Sequence, residues 1–113
     1  MVWVRKMKTL KFHPYLVQPI LNGVKDTTWR LFDDKNLKKG DELSLLNWVN
    51  LKEFAKAKVI FVKETRFCEL TDEDWGGHEE YKSKDEMYKK YSLYYGHKVD
   101  GNTKLKIIKF KLK

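Results

Sequence analysis

Apolar and polar positions alternate in "KTLKF" (8–12), with Leu10 and Phe12 on one side, and this period of two predicts a short strand. The period then changes. In "HPYLVQPILNG", Leu16, Val17, Ile20 and Leu21 form a stripe at helical spacing, Pro14 suits the opening turn, and Gly23 can take the left-handed position that follows a helix. Pro19 would break a longer helix, so the pattern predicts a start near Leu16, with Pro19 in a first turn whose amides need no intrahelical acceptor. Farther on, "LKKGDELSLLNWV" reads as a turn at Gly40-Asp41 followed by a strand. "EFAKAKVIFVKETRF" sets Ala55, Ala57, Val59 and Phe61 against Lys56, Lys58, Ile60 and Val62, a long strand with two covered faces near its middle.

Two helix starts follow. Thr71 and Asp74 have the spacing of an N-cap with its acidic partner, and Ser83 with Glu86 forms the fuller S-x-x-E box ahead of "MYKKYSLYYG", which Gly96 would end. In the closing "TKLKIIKFKLK", Leu105 and Ile107 share one parity while Ile108, Phe110 and Leu112 share the other. One extra residue at Ile107-Ile108, a β-bulge, would turn all five to one face and bend the strand, as small barrels require. The pattern predicts an α+β fold: a small β-barrel of about five to six strands with two to three helices.

A chain of 113 residues is one domain's worth, and its 42% hydrophobic and 14% aromatic content argues against disorder. Charge adds a direction. The balance is +8, and the excess is concentrated: residues 1–30 hold six basic groups against Asp26 alone, and "KLKIIKFKLK" carries five lysines and no acid. The segment "ELTDEDWGGHEE" is the reverse, with six acids and no base. A basic body with one acidic segment fits a polyanion partner such as nucleic acid, and equally a lysine-rich solvated surface. A single cysteine, Cys68, excludes an intramolecular disulfide and points to a reducing compartment. No apolar run approaches the roughly 18 residues of a membrane span, and the N-terminus lacks a secretory h-region, so no membrane partner and a cytoplasmic location are expected. His13, His78, His97 and Cys68 show no metal-ligand spacing, and neither a metal nor another cofactor is expected.

Candidate chemistry gathers in "ILNGVKDTTWRLFDD" (20–34). If residues 27–31 are extended, Thr28 and Arg30 point to one side, and Lys25, three residues back across a turn, can reach the same space. Trp29 points the other way, to the core or the barrel wall, with a base-stacking platform as the alternative. Trp75, beside Gly76-Gly77, borders a cleft or packs, and Tyr88, Tyr91, Tyr94 and Tyr95 read as core and surface of one helix.

The pattern G-x-K-x-x-T-x-R, set by Gly23, Lys25, Thr28 and Arg30, resembles the signature of the ASCH domain (activating signal cointegrator homology), of the PUA-like barrel superfamily. "LKKGDELSL", "ELTDEDWGGHEEY", "SKDEMYKKYSLYYG" and "KLKIIKFKL" continue the likeness in order, from Lys8 to Lys113, leaving residues 1–7 as an N-terminal extension. The resemblance implies a PUA-like barrel whose cleft is floored by the lysine-threonine-arginine segment and accepts RNA or an RNA-derived nucleoside, in a monomer. It also implies an alternative, since some small members are amidohydrolases that convert N4-acetylcytidine to cytidine and acetate with a lysine, a threonine and a glutamate. Lys25 and Thr28 match the first two. The acid falls at Glu79 or Glu80, and "EEY" favours Glu79. Gly23, Thr27, Arg30, Trp75, His78 and Glu80 complete the expected ligand-binding set. Two assignments of the chemistry stay open: Thr28 as nucleophile with a neutral Lys25 as base, or a charged Lys25 as oxyanion donor with Glu79 activating water.

Overall fold

In the computed structural model, which describes residues 7–31 and 35–113, the chain runs β1 (Lys8–Phe12), α1 (Pro14–Leu21), β2 (Thr27–Arg30), β3 (Glu42–Asn47), β4 (Glu53–Arg66), a 3-10 turn (Phe67–Glu69), α2 (Asp72–Trp75), α3 (Lys84–Tyr95) and β5 (Lys104–Leu112). The expected N-terminal extension lies, apart from Met7, outside the described residues. The five strands form one mixed sheet in the order β1-β3-β4-β5-β2, with β1 parallel to β3 and the other neighbours antiparallel. Five strands laid flat would hold their outer edges about 19 Å apart. Here the Arg30 guanidinium on edge strand β2 donates from Nη2 to the Lys11 carbonyl on edge strand β1, at 3.0 Å. The sheet therefore curls into a half-barrel, and one side chain reaches across its seam.

Two apolar clusters fill the fold. Leu10, Phe12, Leu16, Ile20, Leu43, Leu45, Ala57 and Val59 pack with Ile108 and Phe110 beneath α1. Trp29, Phe67, Met87, Tyr91 and Val99 pack with Leu105 and Ile107 beneath α3. Strand β5 thus feeds both clusters. Ile107 and Ile108 are adjacent, point to opposite faces and are each fully buried, so no bulge is needed to hide them. The register instead shifts in β4, between Val59 and Phe61. The expectation of two covered faces on β4 fails at the same place, where Ile60 and Phe61 are 45% and 42% exposed. Covered faces and bulge have exchanged strands, because β5 is the strand overlain on both sides.

Other boundaries also moved. Helix α1 opens at Pro14, so Pro19 lies within it and the Tyr15 carbonyl has no amide to accept. At α2 the Thr71 hydroxyl accepts from the Asp74 amide while the Asp74 carboxylate accepts from the Thr71 amide, a complete capping box. Ser83 caps α3 in one direction only, since the Glu86 carboxylate accepts from the Lys82 amide. The fuller box is therefore at Thr71.

Candidate functional site

The end of α1 delivers Lys25. Gly23, at φ +77°, donates to Ile20, while both Val24 and Lys25 donate to the Pro19 carbonyl, a Schellman ending that reverses the chain sharply. From there β2 runs against β5, with Thr28 opposite Ile108 and Trp29 opposite Ile107. Alternation along this short strand sends Thr28 and Arg30 toward the seam and Trp29 into the cluster beneath α3.

A second segment brings the acid. The Asp26 and Thr27 amides both donate to the Gly77 carbonyl, at 3.0 and 3.2 Å, and the Thr27 hydroxyl donates to the Gly76 carbonyl at 2.8 Å. Gly77 has φ +77°, and a Cβ there would sit 1.7 Å from the Asp26 carboxylate, so only glycine allows this approach. Two residues on, the Glu79 carboxylate meets Lys25, whose Nζ lies 3.1 Å from each of its oxygens and donates to the Thr27 carbonyl at 2.6 Å. Lys25 is only 3% exposed.

His78 backs the pair. Its ring stacks on Trp29, centroids 3.7 Å apart and planes within 15°, and Trp75 packs edge-on against Trp29. His78 Nε2 lies 2.9 Å from Glu79 Oε1 and 3.2 Å from the Tyr91 hydroxyl, while Nδ1 lies 2.8 Å from the Glu79 carbonyl. Burial alone would raise the Glu79 pKa, but the hydrogen bond from His78 and the Lys25 charge hold it down at about 2. Burial pushes Lys25 below the ordinary lysine value, against the pull of Glu79. It pushes His78 below the ordinary histidine value too, against its hydrogen bond to Glu79. The ionised carboxylate and the Thr27 carbonyl both face Nζ and favour the ammonium, while burial opposes it. Nζ thus faces three oxygens, the Thr27 carbonyl and both oxygens of the Glu79 carboxylate. Glu79 Oε2 is held by the ion pair to Lys25 alone, whereas Oε1 also meets His78.

These groups open on one cavity of about 380 Å³ at the seam. Lys25, Thr28, Arg30 and Glu79 line it from below, and Tyr15, Tyr81, Tyr91, Tyr94, Tyr95 and Trp48 wall it. The Arg30 Nε donates to the Thr28 hydroxyl at 3.1 Å, leaving the hydroxyl proton for a ligand. Of the other expected ligand-binding residues, His78, Thr27 and Trp75 stand behind the site, Gly23 sets the turn before it, and Glu80 is exposed outside it. The tyrosines and Trp48 were not singled out from the sequence as site residues. Tyr91 and Tyr95 sit one turn apart on α3, and that spacing served equally well for core packing. Among the described residues no three histidine, cysteine, aspartate or glutamate side chains gather as a metal site, and no helix is long and apolar enough to cross a membrane.

Acid is expected to loosen this arrangement. Asp74 is held below its ordinary value as well: burial opposes the shift, but the Thr71 amide and the Lys63 ammonium outweigh it. Glu79, Asp74 and His78 each bind a proton less readily folded than unfolded, so stability is lost as pH falls. His78 contributes as pH drops below about 6.5, its unfolded value, Glu79 as pH falls from about 4.5 toward 2, and Asp74 as pH falls below its own unfolded value. Urea unfolding at pH 7, 5 and 3 checks this, and Glu79→Gln should show the shallower decline below pH 5. Equal declines would remove Glu79 from the account.

No family model matches the chain, and no curated protein matches it in sequence. Solved structures do match. An ASCH domain from Lactobacillus crispatus superposes with a TM-score of 0.68 at 14% identity, over 93% of this chain and 79% of that one. The chain has the ASCH fold. An Enterococcus faecalis protein of family DUF984 gives 0.68 at 13% identity over 88% and 67% of the two chains, and the ASCH protein of Zymomonas mobilis gives 0.63 at 12% over 96% and 68%. At these identities the likeness to ASCH domains is one of architecture, and the chemistry rests on the side chains described above.

Proposed function

We propose that the seam cavity of this ASCH-type domain binds an RNA-derived nucleoside, with cytidine or an N4-substituted cytidine as the base. The observation that carries the reading is the buried ion pair of Lys25 and Glu79 on the cavity floor, beside Thr28 and Arg30. Cytosine presents an N4–H donor beside the N3 acceptor, and a carboxylate accepting from N4 is a recurrent way of reading that edge. Lys25 can donate to N3, and the tyrosine walls offer faces against which a base can lie. The cavity volume is at the small end for ligand sites, which suits one nucleoside.

The buried ion pair favours a second, hydrolytic reading of the same site. With N4-acetylcytidine bound, the acyl oxygen would accept a hydrogen bond from Lys25 Nζ, and that ammonium would stabilise the oxyanion as water adds to the acyl carbon. Glu79, relieved of part of its pairing, would take the proton from water and pass it to N4 as the C–N bond breaks, giving acetate and cytidine. Of the two assignments open from the sequence, a charged Lys25 supports this one. Thr28 then orients the substrate through its hydroxyl proton. Calorimetric titration with cytidine and N4-acetylcytidine, together with an assay for acetate, tests both readings. Binding of both nucleosides, lost in Lys25→Ala, is the expected result, and heat from neither would overturn the nucleoside site. Binding without acetate release would retire hydrolysis alone.

A further inference from the structure

The proposed nucleoside fills the charged floor of the cavity and leaves its mouth unexplained. Trp48 follows directly on β3, and its amide donates to the Phe12 carbonyl at the end of β1, at 2.8 Å, which fixes its backbone beside the seam. Its ring lines the cavity yet is 53% exposed, and it belongs to neither apolar cluster. The Lys11 ammonium lies 5.4 Å from its centroid, and the His13 ring is 5.8 Å away, itself stacked 5.0 Å from Tyr94. A large aromatic ring held at a cavity mouth under a lysine has the two elements of single-strand recognition: a stacking surface and a nearby cation.

The charges at the cavity lead to the same class of ligand. The lining carries Lys11, Lys25 and Arg30 against one acid, Glu79, and Lys25 and Glu79 neutralise each other. Lys11 and Arg30 remain as two positive charges. A free nucleoside is neutral and brings no counter-charge to them, whereas a nucleotide followed by another brings a phosphodiester to the mouth. Resting on the nucleoside reading above, we propose that Trp48 is a stacking platform for a second base and that Lys11 meets the phosphate between the two. The ligand is then a single-stranded RNA segment of two or more nucleotides, with one base in the floor and its neighbour on Trp48.

Calorimetry with cytidine and with a cytidine-containing diribonucleotide, using the full chain, tests the proposal. The dinucleotide should bind on the order of tenfold more tightly than cytidine, and Trp48→Ala should abolish most of that advantage while Trp48→Phe retains part of it. Raising salt should weaken the dinucleotide and leave cytidine little changed, and Lys11→Gln should flatten that salt response. A dinucleotide no tighter than cytidine, or an advantage that survives Trp48→Ala, overturns the platform. If cytidine gives no heat while the dinucleotide binds in a Trp48-dependent way, the platform stands and the single-nucleoside reading falls. A mouth occupied by an apolar protein segment would show no preference for the dinucleotide and no salt response, which also ends the proposal.

Discussion

Truncating Glu79 to alanine is expected to cost about 3 kcal/mol of folding stability, the lower end of the range for breaking a buried ion pair. The loss comes from what remains. The Lys25 ammonium, 3% exposed, would keep the Thr27 carbonyl and lose its counter-charge. The lower end applies because the Glu79 carboxylate is 26% exposed on the cavity side, so water can partly replace it. Lys25→Met should cost less, about 1 kcal/mol, since the carboxylate left behind keeps His78 and can hydrate through the cavity. Replacing both groups, Lys25→Met with Glu79→Leu, should recover most of the loss, because apolar groups of similar size remove the stranded charge along with its partner. Urea unfolding at pH 7 of the three variants measures this directly. A Glu79→Ala loss within about 0.5 kcal/mol, the ordinary range of a surface change, would mean that Lys25 is solvated and the site is not the dry pair described above.

The residues of β2 show what a sequence can disclose about such a site. Alternation in "TTWR" placed Thr28 and Arg30 on one side and Trp29 on the other, because extended backbone has that geometry whatever surrounds it. The meeting of Lys25 with Glu79 is 54 residues long-range and was visible only through the resemblance of the motif. Its physical cause, the Gly77 carbonyl accepting from Asp26 and Thr27, has no local signal beyond a glycine pair. The bulge was misplaced for a related reason. Five apolar residues in two parities on β5 fit either a bulge or two covered faces, and the choice depends on where α1 and α3 lie. Trp48 and the tyrosines were missed as site residues because periodicity reports which side of an element a residue occupies and not what faces that side. Pro19 inside α1 is a case of tertiary packing overriding a local penalty: Leu16 and Ile20 are buried on either side of it, and that burial holds the helix together.

Trp29→Ala is expected to cost about 3–5 kcal/mol and to disable the site as well, because one ring supports both. Trp29 is buried against Phe67, Trp75 and Tyr91, and its Nε1 donates to the Asp74 carbonyl at 3.3 Å. Its face also carries the His78 imidazole, which in turn hydrogen-bonds Glu79. Removing the indole leaves a void where His78 rested and frees the segment that presents Glu79 to Lys25. Trp29→Phe should fill part of the void and lose less, about 1–2 kcal/mol, and it tests whether stacking alone positions the histidine. The two consequences are separable by measurement. Urea unfolding reports the packing loss, while the imidazole NMR signals of His78 and the affinity for cytidine report the site. If Trp29→Ala lowers stability but leaves the His78 signals and the affinity unchanged, the glycine clamp at Asp26 and Thr27 is enough to hold Glu79, and the stack serves the core alone. If both fall together, the parity of β2 has a double use: one face of a four-residue strand carries groups that meet the ligand, and the other carries the ring that fixes the acid opposite them.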